Sequence, residues 1–458
     1  MNKDGLYKSQ RSCDRCHHIK ERCEWLYGDT ECIRCVRLGH LCQTLRPVKK
    51  SGRPPQSIRT YAETLREDAA VEIMAPSGRA SSFVVTTPKQ INPEAPITLS
   101  MLSRKESDMF QDMLFRDEVC DTFLLGKSFR EDHRQTILSS FLLATPMVSD
   151  GILACCLAWM GQRADLLVAF RHASTALSIL NSTSIDNVND AATCTFLGSL
   201  LHTFSIRVKV SNIPGVCRRT LVRIKPFYEV ARPTELGNFS MLPCLIITEL
   251  FECWLVQQAP TLRYRPTANK EYVDRFVGLS TSLLPLLHDI CELSNTILYT
   301  DEEGACGILL SLTLLEQAVN EWQPPVSDDL FQRFDGAEVS CLITQAQSLR
   351  LAALLLIHRL RHPSGTSDEP TVNLALSILK NLELNLSLTN KSIKHMELPV
   401  VVACYELRPK DRQLWLDKIP AIMGMPPEFT SRLQQIIQDR WEKHDRCQVL
   451  NSLTWNPI

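Results

Sequence analysis

From about Met101 onward, long apolar-rich segments alternate with short polar breaks. Phe429, Leu433, Ile436, Ile437 and Trp441 recur at spacings that lay them on one face of an amphipathic helix. Leu349–Leu360, Leu374–Leu384 and Leu283–Leu293 repeat the helical pattern, and Arg361–Pro370, Trp322–Asp328 and Tyr264–Asn269 carry the turn chemistry that would separate such helices. Alternating strands joined by Asn-Gly or Asp-Gly turns are not found. The pattern predicts a mostly α protein whose body, residues 105–445, is one large all-helical domain. Thr136–Met160 holds a single charge, Asp150, over 25 residues, enough length to span a bilayer. Ser139, Ser140, Thr145-Pro146 and Gly151 interrupt it, with Thr145 and Pro146 suited to the cap and first turn of a new helix. This predicts two buried helices joined by a short turn, and no membrane span.

Before this body the pattern changes. Gln43–Ser100 is polar, holds seven of the 25 prolines and has no sustained hydrophobic period, so residues 47–104 read as a linker. Tyr61–Met74 could form a helix of two heptads, too short to establish a dimerisation coil. Charge divides the chain in the same place. Residues 1–60 carry 13 Lys/Arg against 6 Asp/Glu, and the rest carry 37 against 45. A basic head on an acidic body suggests that the head meets a polyanion.

Cysteine is the informative residue. Met1–Lys20 has no apolar run of the kind a signal peptide needs. Twelve of the 18 cysteines are scattered from Cys120 to Cys447, mostly in apolar stretches, as buried small hydrophobes of a reducing compartment would be. The other six are Cys13, Cys16, Cys23, Cys32, Cys35 and Cys42, spaced C-x2-C-x6-C twice over at an offset of 19 residues. Each C-x2-C brings two thiolates to one ion, and zinc takes four in a tetrahedron. Two zinc ions need eight ligand places, so six thiolates suffice if two sulfurs bridge. With four sulfurs per ion the site is closed to water, making the metal structural rather than catalytic. The short segment would owe most of its folding free energy to metal binding.

The run Cys13-Asp-Arg-Cys16-His-His-Ile-Lys20-Glu-Arg22-Cys23, followed by Cys32-Ile-Arg-Cys35 and Cys42, resembles the fungal zinc binuclear cluster DNA-binding domain, over about residues 10–46. The resemblance implies two zinc ions bridged by Cys13 and Cys32. It also implies two short helices, the first docking in the major groove of a CGG triplet, and a base-reading lysine at Lys20. His17 and Ile19 stand where the family usually has basic residues, and Trp25, Leu26 and Tyr27 replace its common loop proline. Leu349–Pro363, Leu374–Asn385, Glu397–Glu406, Asp411–Trp415 and the helix closing at Trp441 resemble a fungal-specific transcription factor regulatory domain, and Ala169–Leu180 fits its earlier helices.

Physical chemistry points the same way. Lys20 can donate to guanine O6 and N7, and Arg15, Arg22, Arg34 and Arg37 can meet phosphates, as can His17. Lys49, Lys50 and Arg53 extend the basic strip; Gly52-Arg53-Pro54 resembles the core of a minor-groove AT-hook, while a solvated linker serving nuclear import explains it as well. No zinc-protease, nucleophile-elbow or phosphate-loop motif is present. His288-Asp289 reads as an ordinary helix pair, His172, His202 and His358 as structural, and Glu252 and Glu406 as acids that could line an effector pocket. The expectation is a nuclear, non-enzymatic, sequence-specific regulator of RNA polymerase II transcription that binds double-stranded DNA. Its body would contact the transcription machinery or co-regulators, and control of a metabolic or secondary-metabolite gene cluster fits the resemblance. A homodimer and a small-molecule effector stay open. The alternative is a zinc-cluster co-regulator that binds DNA weakly or not at all.

Overall fold

The computed structural model describes residues 102–453 apart from 162–164, 209–213, 267–268, 270, 300–304 and 363–368. In the N-terminal part it describes residues 6–7, 13–18, 20, 23, 25–26, 32–38 and 42. The chain separates into two compact units, Met1–Pro88 and Lys89–Ile458. The expected helix at Tyr61–Met74 and the linker up to residue 101 lie outside the described residues.

In the first unit, α1 (Asp14–His18) and α2 (Ile33–Arg37) are two short helices of equal length. A two-residue antiparallel ladder pairs β1 (Leu6–Tyr7) with β2 (Trp25–Leu26), Leu6 opposite Leu26 and Tyr7 opposite Trp25. The segment expected to be a loop at Trp25–Leu26 is thus partly extended and paired.

The described part of the second unit is predominantly helical. Ser103 and Glu106 close a reciprocal capping box that starts α3 (Arg104–Phe115), and α4 (Asp117–Phe123) follows. The long α5 (Arg130–Met160) packs against α6 (Leu166–Ser182) and α7 (Val188–Arg207). Here the expected turn is a kink instead. Ala144 leaves helical geometry at φ −139° and ψ 33°, and the chain resumes its helix at once. Pro146 explains the break, since it has no N–H for the carbonyl four residues back and its ring crowds that carbonyl. Thr145 is not a cap: its hydroxyl donates to the Phe141 carbonyl at 2.8 Å.

α8 (Pro214–Val230) leads to α9 (Leu242–Val256), whose Leu242, Leu245, Ile246 and Leu250 are all buried. A helix apolar on every face belongs inside a protein, and α9 touches α7, α8 and, further along the chain, α10 (Leu284–Ile297) and α15 (Glu397–Tyr405). Between α9 and α10 runs an irregular but buried segment. Asp274 and Gly278 exchange backbone hydrogen bonds at 3.0 and 2.9 Å, and the Asp274 carboxylate accepts from the N–H groups of Phe276 and Val277. α11 (Ala305–Glu321), the single turn α12 (Leu330–Arg333), α13 (Gly336–Arg361) and α14 (Glu369–Thr389) form the next layer. α15, α16 (Pro409–Met423) and α17 (Pro427–Leu453) complete it. The periodic apolar face expected on α17 is buried as a row, Phe429, Leu433, Ile437 and Trp441. Lys127–Met160 and Gly336–Arg361 are long and apolar enough to cross a membrane, but 50% and 61% of their apolar windows are buried inside the unit.

Candidate metal centre and nucleic-acid interface

Both C-x2-C pairs are built by the same local device. Cys32 is the N-cap of α2, and its sulfur accepts from the Cys35 N–H at 3.4 Å. Cys13, immediately before α1, accepts from the Cys16 N–H at the same distance. A residue in the cap position points its side chain back over the first turn, so the sulfurs at positions one and four of each half converge. The third cysteine of each half closes on the first: Cys13 N–H donates to the Cys23 sulfur at 3.3 Å, and Cys32 N–H to the Cys42 sulfur at 3.2 Å. The two halves therefore obey one local symmetry, as the 19-residue sequence offset implies.

The halves also meet. Cys13 and Cys32 sulfurs lie 3.8 Å apart, Cys13 and Cys35 3.7 Å, and Cys16 and Cys32 3.8 Å. The ligand atoms of Cys13, Cys16, Cys32 and Cys35 all fall within 4.8 Å of one another. All four are buried, and the half-buried Cys23 and Cys42 pack against them. Cys13 and Cys32 are the inner pair, each touched by sulfurs from both halves. Burial alone would raise the Cys32 thiol, but the Cys35 N–H and neighbouring thiols that donate to its sulfur bring it down to about 6. In the outer positions burial, with the hydrogen bonds their thiols make to the inner sulfurs, pushes Cys35 up to about 11 and Cys42 up to about 12. Such a packing of thiols cannot hold six thiolates without cations among them, and a soft, thiolate-binding ion is the group that fits an all-sulfur donor set.

Lys20 is exposed and sits two residues beyond the end of α1 with φ at 56°. Left-handed backbone costs a non-glycine residue about 1 kcal/mol or more. Of the other expected DNA contacts, Arg37 is exposed and Arg34 half-buried, both in the last turn of α2. Arg15 and His17 belong to α1, but their side chains, like the whole of Arg22, Lys49, Lys50 and Arg53, lie outside the described residues.

In the helical unit, the carboxylate of the His288-Asp289 pair is tied up. His288 Nδ1 lies 3.3 Å from Asp289, but Arg263 grips that carboxylate with two bonds of 2.8 Å. The Arg263 grip and the His288 contact overcome partial burial and hold the Asp289 carboxyl down at about 2. His172 pairs with Asp150 at 2.6 Å, His358 stacks on His362, and burial holds His202 neutral, down to about 3. Glu406 lines a cavity, locked to Arg359 by a bidentate ion pair. Glu252 does not line it. Burial and the neighbouring Glu249 push its carboxyl up to about 8.

Comparison with known proteins fits this division. Residues 236–456 match the family described as Fungal specific transcription factor domain. The match covers just under half of the chain. The matched segment begins at the 3-10 turn Leu236–Phe239 and includes α9 through α17. A curated relative, "C6 finger transcription factor traC" of Penicillium crustosum, is 32% identical over 89 residues. The aligned stretch is 19% of this chain and 20% of that protein, so the two are similar over about a fifth of their lengths. Family and relative are described as transcription factors, not enzymes. No solved structure matches the chain at a significant level.

Proposed function

We propose that this protein is a sequence-specific DNA-binding regulator of transcription by RNA polymerase II, acting in the nucleus. Residues 10–46 form its zinc binuclear cluster, residues 47–104 a linker, and residues 105–445 a regulatory domain that includes the matched family segment. The observation that carries the reading is the convergence of two equivalent C-x2-C helices on an inner pair of sulfurs, Cys13 and Cys32, with Cys16 and Cys35 beside them. Two zinc ions would be held by Cys13, Cys16, Cys23 and Cys32 and by Cys13, Cys32, Cys35 and Cys42. They would fix the two short helices relative to each other and do no chemistry on substrates.

The first helix would then present its C-terminal end to the major groove. Lys20, exposed just past that end, would donate to guanine O6 and N7 of a CGG-like triplet, and Arg37 would meet phosphate. Charge supports the assignment, since the basic residues concentrate in the first sixty positions. Control of a metabolic gene cluster is consistent with this class of regulator.

The test is selection of sites from a random DNA pool by the full-length, zinc-loaded protein, beside Lys20→Ala. Alanine carries the same Cβ and meets the same left-handed strain, so the comparison isolates the ammonium group. Enrichment of a CGG-containing site, lost in the variant, is the expected result. Enrichment of no sequence by the zinc-loaded protein would replace the DNA reader with a co-regulator acting through protein contacts.

A further inference from the structure

The helical unit contains a cavity of about 460 Å³ that neither the cysteine module nor the packing of the core accounts for. Its inner wall is apolar, formed by Ile290 of α10, Leu356 and Leu360 of α13, Val402 of α15 and Trp441 of α17. This volume lies in the range of small-molecule sites. A second cavity of about 430 Å³ shares Trp254, Gln257, Tyr405 and Arg440 with the first, so these four residues stand where the two spaces meet.

The arginines around the first cavity are of two kinds. Arg359 is spent on Glu406, both nearly buried, and Arg412 on Asp445 at 2.7 Å and on the Leu407 carbonyl. Arg408 is held by Glu369 at 2.7 Å. These pairs shape the wall. Arg440 differs. It lies over the Tyr405 ring, 5.7 Å from its centroid, and has no ion-pair partner among the described residues. Tyr405 in turn packs on Trp254 at 5.4 Å, and its hydroxyl has no hydrogen-bond partner among the described residues. Lys443 adds a second cation on the side of the smaller cavity.

We infer that this cavity is a binding site for an amphipathic carboxylic acid, its apolar body seated against Leu356, Leu360 and Val402 and its carboxylate held by Arg440 and the Tyr405 hydroxyl. A guanidinium fork matches a carboxylate with two parallel hydrogen bonds. Because Arg440 stacks on an aromatic face, its charge is oriented before the ligand arrives, which lowers the cost of ordering it. A neutral apolar molecule would gain the wall and leave this cation unused, and inorganic phosphate would gain the cation and leave the wall empty. The combination selects an anion with an apolar body, either an aromatic acid or a fatty acid.

Equilibrium dialysis of the full-length, zinc-loaded protein against 2-naphthoate, decanoate, 2-naphthylmethanol, decanol and phosphate tests the site without DNA, so it is read independently of the proposed regulation of transcription. One or both acids should bind saturably, and the matching alcohol about tenfold more weakly or worse, the usual penalty for losing a charged hydrogen bond. Which acid binds separates the aromatic from the fatty source. Arg440→Ala should weaken the acid by a similar factor and leave the alcohol unchanged, while Arg440→Lys should recover part of the loss. Val402→Trp should block both, with circular dichroism showing its helicity retained; if that variant unfolds, the Arg440 pair alone decides. Equal binding of acid and alcohol, an acid affinity indifferent to Arg440→Ala, or no saturable binding of either acid would overturn the inference.

Discussion

A sulfur placed at the cap of a five-residue helix has two calls on it, the amide of its own first turn and the ions it gathers. In this protein the first is met by Cys13 and Cys32, and these two are also the sulfurs reached from both halves of the module. The six positions and their twofold repeat were legible in the spacing alone, because ligand spacing is a covalent constraint. The left-handed turn at Lys20 was not, because lysine has no local preference for it. The inner and outer cysteines should respond differently to substitution. In the proposed two-zinc arrangement, native mass spectrometry of Cys42→Ser should show one zinc ion retained, because the other tetrahedron keeps all four sulfurs. Cys13→Ser removes a ligand from both tetrahedra, and the prediction is loss of both ions. Equal stoichiometry in the two variants would show that Cys13 does not bridge.

Helices reveal themselves when their burial is one-sided. α17 repeats its apolar residues on one face, and four of the five positions the sequence marked are buried, with Ile436 half-buried. Leu433 is wholly buried there, whereas Leu143, beside the kink of α5, is 87% exposed. Leu433→Ala should therefore cost about 2–5 kcal/mol in a urea titration followed by circular dichroism. Leu143→Ala should change stability by no more than about 0.5 kcal/mol. A loss at Leu143 as large as that at Leu433 would mean that the kinked segment is covered. The buried segment between α9 and α10 escaped the sequence reading for a different reason. It has no period to detect, and its backbone is satisfied by single side chains. Asp274 accepts two N–H bonds, and the Gln345 amide donates to the Phe276 and Lys394 carbonyls at 2.9 and 3.1 Å. The Asp274 bonds are local, but the Gln345 partners lie far away in sequence, so only the folded chain brings them together. The cavity beside α15 was missed likewise: Glu406 was marked as a pocket acid, but its ion pair with Arg359 takes α13 and α15 folded together.

Taken as a whole, the helical unit buries titratable groups of opposite kinds, and their balance sets the pH at which it is most stable. Burial holds His133 and His202 down to about 3 and His395 down to about 4, against an ordinary 6.5. His395 Nε2 donates to the Phe123 carbonyl at 3.0 Å, a bond that favours the charged ring and that burial outweighs. Below pH 6.5 the unfolded chain binds protons that these folded rings refuse, so their contribution to stability rises with pH and is complete by about 6.5. The acids act in the opposite sense. Burial, and for Glu252 the nearby Glu249, lift Glu252 to about 8 and Glu397 to about 7, against an ordinary 4.5. Between 4.5 and those values the folded state holds protons that the unfolded chain releases, so stability falls as pH rises. The two sets oppose each other from 4.5 to 6.5, the histidines dominate below that window, and only the acids act above it. Urea midpoints of the full-length protein, followed by helicity, should therefore decline from pH 6.5 to 8, with Glu252 carrying the upper part of the decline. Glu252→Gln should flatten the curve between about pH 7 and 8 and leave the acid limb near pH 4 unchanged. A variant whose alkaline limb tracks the wild type would show that Glu252 is already ionised in the folded chain, balanced by Arg432, and that burial does not hold its proton.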